Sequence, residues 1–137
     1  MNTYSYEDLE PGHEEHFEVK VTDEMLDSFR KITGDENPFH RDDEFAKAHG
    51  FPGHVAFGML TASFLSTLAG MYLPGERSII QSTELKFVSP VFPGDILTVS
   101  GTVTEKNDTF NVIRLKTEIK NDKGKKVLRG SMQVGFL

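Results

Sequence analysis

The residues best suited to chemistry fall in one short stretch, TGDENPFH, at positions 33–40. It brings a carboxylate (Asp35), an amide (Asn37) and an imidazole (His40) into a single loop. An imidazole titrates near neutral pH, and a neighbouring carboxylate can fix its tautomer or act as a base itself. Pro38 disfavours the helical conformation at Asn37, and Gly, Asp and Asn form turns, so residues 34–41 are read as irregular. A stiffened turn loses little further freedom in holding side chains at fixed positions, which is what acid–base chemistry requires. Composition alone leaves a second reading open, in which Asp35 and Asn37 make an Asx-type turn and His40 is a solvated loop residue.

The elements that must position this loop follow from the pattern on either side. Residues 14–21 alternate polar and apolar, a half-buried strand. Thr22 reads as an N-cap with Asp23 and Glu24 in the first helical turn, where acids suit the dipole. Met25, Leu26, Phe29 and Ile32 recur at helical spacing, and the helix ends near Thr33 and Gly34. A short helix over residues 42–48 should be capped by Asp42 or Asp43. Residues 50–53 break it and deliver the chain to residues 55–73, which hold no charged side chain. That length and composition predict a long helix, apolar on every side and therefore buried all round. Its four Ser and Thr (Thr61, Ser63, Ser66, Thr67), and the lack of Lys or Arg near its ends, argue against a membrane span.

Beyond Pro74 and Gly75 the period changes to two. Strands are expected at residues 78–88, 96–105, 110–120 and 128–136, with turns at Asn107-Asp108 and at residues 121–124. The fold class is therefore α+β: a long buried helix wrapped by a curved antiparallel sheet of about five strands, the hot-dog architecture, in one domain spanning residues 1–137. A single curled sheet covers only part of such a helix. A second subunit or the small helices should cover the rest, so a homodimer or higher homo-oligomer is expected.

The net charge is 15 − 21 = −6, with acids spread along the chain and no basic cluster, which argues against nucleic acid. Cysteine is absent, so neither disulfides nor thiolate chemistry is available. The acidic start has no hydrophobic core of a secretory signal, and a cytoplasmic location is the expectation. His13-x-x-His16 and the His49/His54 pair lack a convincing third ligand, so no metal site is expected.

The run Gly34-Asp35-Glu36-Asn37-Pro38-Phe39-His40 resembles the G-D-x-N-P-x-H motif of the MaoC-like dehydratases, the (R)-specific enoyl-CoA hydratases. Gly58-Met59-Leu60 at the helix entry, Pro90-Val91 and Gly94-Asp95 extend the resemblance over essentially the whole chain. The resemblance implies that Asp35 and His40 are the catalytic pair activating one water, with Asn37 a positioning residue. It implies that Ser66 hydrogen-bonds the catalytic Asp, and that the Gly58 backbone N–H receives the thioester carbonyl oxygen. A free N–H at a helix start suits the enolate-like charge that develops there. The implied substrate is a CoA or carrier-protein thioester, with no cofactor. The sequence departs from the family at Phe57, where a His is frequent, and His54 upstream reads as a surface residue on a Pro-Gly loop. Candidates for the nucleotide end are Arg77, Lys86 and Arg129, which flank or sit on strands. Two rivals share the fold: an acyl-CoA thioesterase, many of which carry an acid on the central helix where this chain has none, and a non-catalytic acyl-thioester-binding protein.

Overall fold

The alternating segments pair into one sheet because each has an apolar face that needs cover. The computed structural model describes all residues, 1–137. Its strands are β1 (Glu14–Lys20), β2 (Ser78–Phe87), β3 (Ile96–Asn107), β4 (Val112–Lys120) and β5 (Lys126–Phe136), and its helices α1 (Asp23–Thr33), α2 (Asp43–Ala48) and α3 (Gly58–Thr67). The strands form one antiparallel sheet in the order β1-β3-β4-β5-β2. Register shifts at Ile80/Ser82, Val103/Glu105 and Ile119/Lys120 bend it, as bulges do. Leu97, Val99, Val103, Ile113, Leu115, Ile119, Leu128, Met132 and Val134 are fully buried on its concave face. Each such side chain contributes roughly 1.5–3 kcal/mol of burial.

The helix lying in that concavity is the hot dog's filling, and it differs from the expectation in two ways. It begins at Gly58, not near 55, and α3 gives way after Thr67 to a π-helical segment, Leu68–Tyr72. Residues 55 and 56 lie outside the helix instead, because the Val55 and Ala56 N–H groups donate to the carbonyls of Phe39 and Val91. Apolarity alone did not separate a buried non-helical segment from a helix. Nor is the helix buried all round. Leu60, Thr61, Ala62, Leu65, Leu68 and Ala69 are buried, whereas Met59, Ser63, Ser66, Thr67 and Met71 form an exposed stripe. It is too short to cross a bilayer, and no helix here is long and apolar enough to do so.

The helix meets the sheet most closely at Gly101, where a Cβ would lie 2.8 Å from Leu68 Cδ2. Thr117 sits between Gly101 and Gly130 in register, fully buried, and its Oγ1 has no hydrogen-bond partner.

The smaller elements form as the caps predict. Thr22 Oγ1 accepts the Met25 N–H at 3.2 Å, and Gly34 closes α1 in the left-handed region at φ 75°. Asp42, not Asp43, caps α2 by accepting the Phe45 N–H at 3.1 Å. Ile32 points away from the core and is 81% exposed. A feature without a sequence signal is the N-terminal strap. Asn2 N–H donates to the Met71 carbonyl, Tyr4 N–H to Pro74, and Tyr6 and Leu9 enter the core.

Candidate active site

The motif loop is suspended between the end of α1 and the start of α2. Its backbone is fixed by its own side chains: Asp35 Oδ1 accepts the Asn37 N–H and Asn37 Oδ1 accepts the Phe39 N–H, both at 3.0 Å. Thr33 Oγ1 accepts the Asp35 N–H while donating to the Phe29 carbonyl. Arg41 Nε donates to the Glu36 carbonyl. The Asx turns are therefore present, and the loop closes in a 3-10 turn, Pro38–His40, where an irregular segment was expected throughout.

That turn carries the His40 ring inward. Its Nδ1 lies 2.7 Å from the Val55 carbonyl oxygen. A carbonyl only accepts, so Nδ1 bears a proton, and in the neutral imidazole Nε2 is the nitrogen that keeps its lone pair. One face of the ring packs on Phe57, with centroids 4.1 Å apart and planes at 30°. Phe57 is buried and also touches Phe29 at 5.0 Å between centroids. The departure from the family's frequent His thus places an apolar plate behind the imidazole.

His40 lines a cavity of about 310 Å³ together with Gly58, Thr61 and a mostly apolar wall that includes Phe39, Phe87 and Val91. That volume lies at the lower end for small-molecule sites. Gly58 opens α3, and neither its N–H nor that of Met59 has a backbone acceptor. Helix starts leave such donors free, and the dipole there favours negative charge. A Cβ at Gly58 would meet the Phe87 ring at 3.2 Å, so glycine keeps the approach open.

The structure brings His40 and Gly58 to one cavity, and it does not bring the other assigned residues there. Asp35 and Asn37 are exposed, and Asp35 is not among the lining residues. Ser66 stands on the exposed stripe of α3 and makes no hydrogen bond to Asp35 within one chain. The cavity walls contributed by Phe87, Val88 and Val127 were not singled out from the sequence, because nothing local marks a strand end as a cavity wall.

His54 departs from its expected role as a solvated surface residue. Its Nδ1 lies 2.6 Å from Asp43 Oδ1 and its Nε2 2.6 Å from Asp23 Oδ1, and its backbone N–H donates to the same Asp43 oxygen at 2.8 Å. Ionised carboxylates only accept, so both ring nitrogens donate and the ring is an imidazolium. The hydrogen bond to Asp43, aided by Asp23 and opposed by partial burial, raises the His54 pKa above its usual 6.5. The same hydrogen bonds hold the Asp43 carboxyl below the usual carboxylate range.

Of the remaining histidines, His13 faces Glu15 at 3.5 Å, and His49 Nδ1 lies 2.8 Å from the Phe45 carbonyl. No group of three His, Asp or Glu side chains is arranged to hold a metal ion.

A basic depression of about 380 Å³ opens on the outer face of the sheet, lined by Lys86, Lys116, Lys126 and Arg129 with Glu84 and Glu118. Lys86 and Arg129 stand directly opposite each other across β2 and β5. Like charges so placed repel. Glu118 is taken by Lys120 and Lys126, at 3.3 and 3.1 Å, while Lys86, Lys116 and Arg129 form no ion pair. Of the three nucleotide-end candidates it gathers Lys86 and Arg129; Arg77 is not in its wall.

Known proteins resemble this chain in sequence and fold. The chain is 37% identical over 100 residues to the 3-hydroxybutyryl-CoA dehydratase of Methylorubrum extorquens, covering 73% of this chain and 64% of that protein's length. It is 32% identical over 130 residues to the (R)-specific enoyl-CoA hydratase of Aeromonas caviae, covering 95% and 97% of the two chains. The unliganded R-hydratase PhaJ1 from Pseudomonas aeruginosa superposes with a TM-score of 0.91 at 32% identity, over 96% of this chain and 84% of that one. The family profile described as MaoC like domain matches residues 8–125, so the fold, the loop and the sequence likeness lead to one statement: the chain belongs to the MaoC-like domain family.

Proposed function

We propose that the protein is an (R)-specific enoyl-CoA hydratase or 3-hydroxyacyl-thioester dehydratase. It adds water across C2–C3 of a 2-enoyl thioester, hydroxyl to C3 and proton to C2, or removes it in reverse. The observation that carries this reading is the cavity shared by the His40 imidazole and the unpartnered Gly58 N–H. In the addition, the Gly58 N–H stabilises the enolate-like oxygen, while His40 Nε2 and the Asp35 carboxylate handle the water and the proton. Loss of one such N–H donor in other enzymes costs about 3–4 kcal/mol. Asn37 positions the loop through its Asx turn. The reaction as proposed needs no cofactor and no metal.

The site is completed, in this reading, by a second copy of the chain. β2 is a ten-residue edge strand with no proline, and Ile79, Ile80, Phe87 and Val88 on or beside it are exposed. The opposite edge, β1, is seven residues long and carries Glu14, Glu15, Glu18 and Lys20. Long unprotected edges pair, whereas charged short ones resist pairing. A homodimer formed at β2 also offers cover for the Met59–Ser66–Met71 stripe, where Ser66 stands, and encloses the exposed Asp35. The thioester carrier's phosphates lie, in the same reading, against Lys86, Lys116 and Arg129. In its favour, the depression and the cavity are lined by chain neighbours, Lys86 beside Phe87 and Lys126 beside Val127. We place the enzyme in the cytoplasm.

The test is incubation with a short 2-enoyl-CoA while following loss of the conjugated absorbance. Hydration that disappears in both Asp35→Asn and His40→Ala supports the reading. Release of free CoA without hydration selects the thioesterase, and binding of acyl thioesters without turnover selects the binding protein.

A further inference from the structure

The doubly salt-linked histidine has no part in the mechanism above, yet it adjoins the residue that orients His40. Residues 53–56 are held along their length: the His54 N–H and ring by Asp43, the Val55 N–H by the Phe39 carbonyl, and the Ala56 N–H by the Val91 carbonyl. Between those anchors the Val55 carbonyl accepts the His40 Nδ1 proton. Asp23 opens α1 and Asp43 opens α2, so His54 ties together the starts of the two helices between which the motif loop hangs. Gly53 lets the segment press against α2, since a Cβ there would lie 3.1 Å from Asp43 Oδ1.

We propose that His54 is a positioning residue: linked to Asp23 and Asp43, it fixes residues 53–56 so that the Val55 carbonyl holds His40 in the tautomer that leaves Nε2 free. The role rests on His40 being the acid–base residue of the hydration reaction. The charged groups facing His54 are Asp23 from α1 and Asp43 from α2, with Lys47 acting on Asp43 from one turn along α2. As pH rises and His54 loses its proton, one of its ring nitrogens stops donating and one link opens. The His40 ring then gains freedom through a change made at His54.

The test uses the full chain and two readouts. Imidazole-nitrogen NMR reports the His40 tautomer against pH, and steady-state kinetics separate kcat from KM. In the wild-type protein His40 is expected to hold its proton on Nδ1, and its nitrogen signals should show an extra inflection at the His54 midpoint. In His54→Gln that inflection should vanish, the tautomer preference should weaken, and kcat should fall by about ten- to a hundredfold, as for a misplaced catalytic group. KM should stay within about twofold, since no substrate contact is removed. A folded His54→Gln with an unchanged His40 tautomer and unchanged kcat overturns the proposal. So does a wild-type His40 titration without the His54 inflection. Should His54→Gln fail to fold, Asp23→Ala removes only the more exposed link, acceptor and charge together, and unchanged His40 signals in that variant count equally against the role. Should the wild-type protein hydrate no enoyl thioester, the functional reading fails, while the nitrogen signals still decide whether His54 governs the His40 ring.

Discussion

The His40 ring and the Val55 carbonyl, 2.7 Å apart and fifteen positions apart in sequence, form the contact that decides which nitrogen can do chemistry. With Nδ1–H donated, Nε2 alone is free to exchange a proton at the cavity. Replacing His40 by Gln, which can keep a donor to Val55 but cannot act as a base near neutral pH, should lower kcat by about 10²–10⁴-fold, the usual scale of general acid–base catalysis. Rapid-mixing or steady-state hydration assays measure this directly. A loss under threefold would mean that His40 is a spectator.

Gly58→Ala should act differently. The new methyl would press on the Phe87 ring at 3.2 Å and narrow the approach to the free N–H. Alanine suits a helix better than glycine, so the fold should hold or gain slightly. kcat/KM should fall while Tm stays level or rises, a split that calorimetry beside kinetics will reveal.

For the phosphate end, Lys86→Ala combined with Arg129→Ala should raise KM for a CoA thioester by about tenfold, the scale of losing charge-assisted hydrogen bonds. The same substitutions should leave turnover of the corresponding pantetheine thioester unchanged, because that substrate lacks the nucleotide phosphates. Equal effects on both substrates would remove the depression from the account.

Stability should carry a pH signature of the His54 cluster. The raised His54 pKa makes its contribution full below 6.5 and lost as pH climbs through the raised value. The lowered Asp43 pKa makes its contribution present above 3.8 and lost as pH drops through the depressed value. The Tm difference between the wild-type protein and His54→Gln should therefore be widest between those limits and shrink on either side. A difference independent of pH would point to packing rather than charge.

Thr117→Val should stabilise the protein. The hydroxyl is fully buried without a partner, and removing it relieves about 1–3 kcal/mol of desolvation at nearly constant volume. Thermal unfolding should shift upward by a few degrees with activity retained.

Much of this molecule is written in local pattern. The alternation in β3, β4 and β5, the Thr22 cap and the Gly34 stop each report on neighbours a few residues away, and each was readable. The motif loop stood out because its turn formers and its titratable groups are contiguous. What escaped reading depends on distant contacts. Residues 55 and 56 look helical by composition, and only their pairing with Phe39 and Val91 keeps them out of the helix. His54 looks like a loop histidine until the starts of two helices bring Asp23 and Asp43 to it. The outward basic face was half legible: Lys86 and Arg129 stood out as strand residues, but Lys116 joins them, and Arg77 drops away, only through register. The exposed stripe of α3 defied its own composition for another reason: uniform apolarity says nothing about how many sides a single chain can cover.

The strap at the chain's start has a consequence for synthesis. Asn2 and Tyr4 dock on Met71 and Pro74, the Asn2 carbonyl sits where any side chain on Gly75 would go, and the Tyr6 hydroxyl binds Asp108 at 2.5 Å. The partners of Asn2, Tyr4 and Tyr6 lie about seventy to a hundred residues further along the chain, so during synthesis these residues wait as loose chain until their acceptors emerge. The opening segment is therefore stitched down among the last events of folding, like the final knot in a seam, and cutting it away should loosen the far end of the central helix before it disturbs the cavity at the near one.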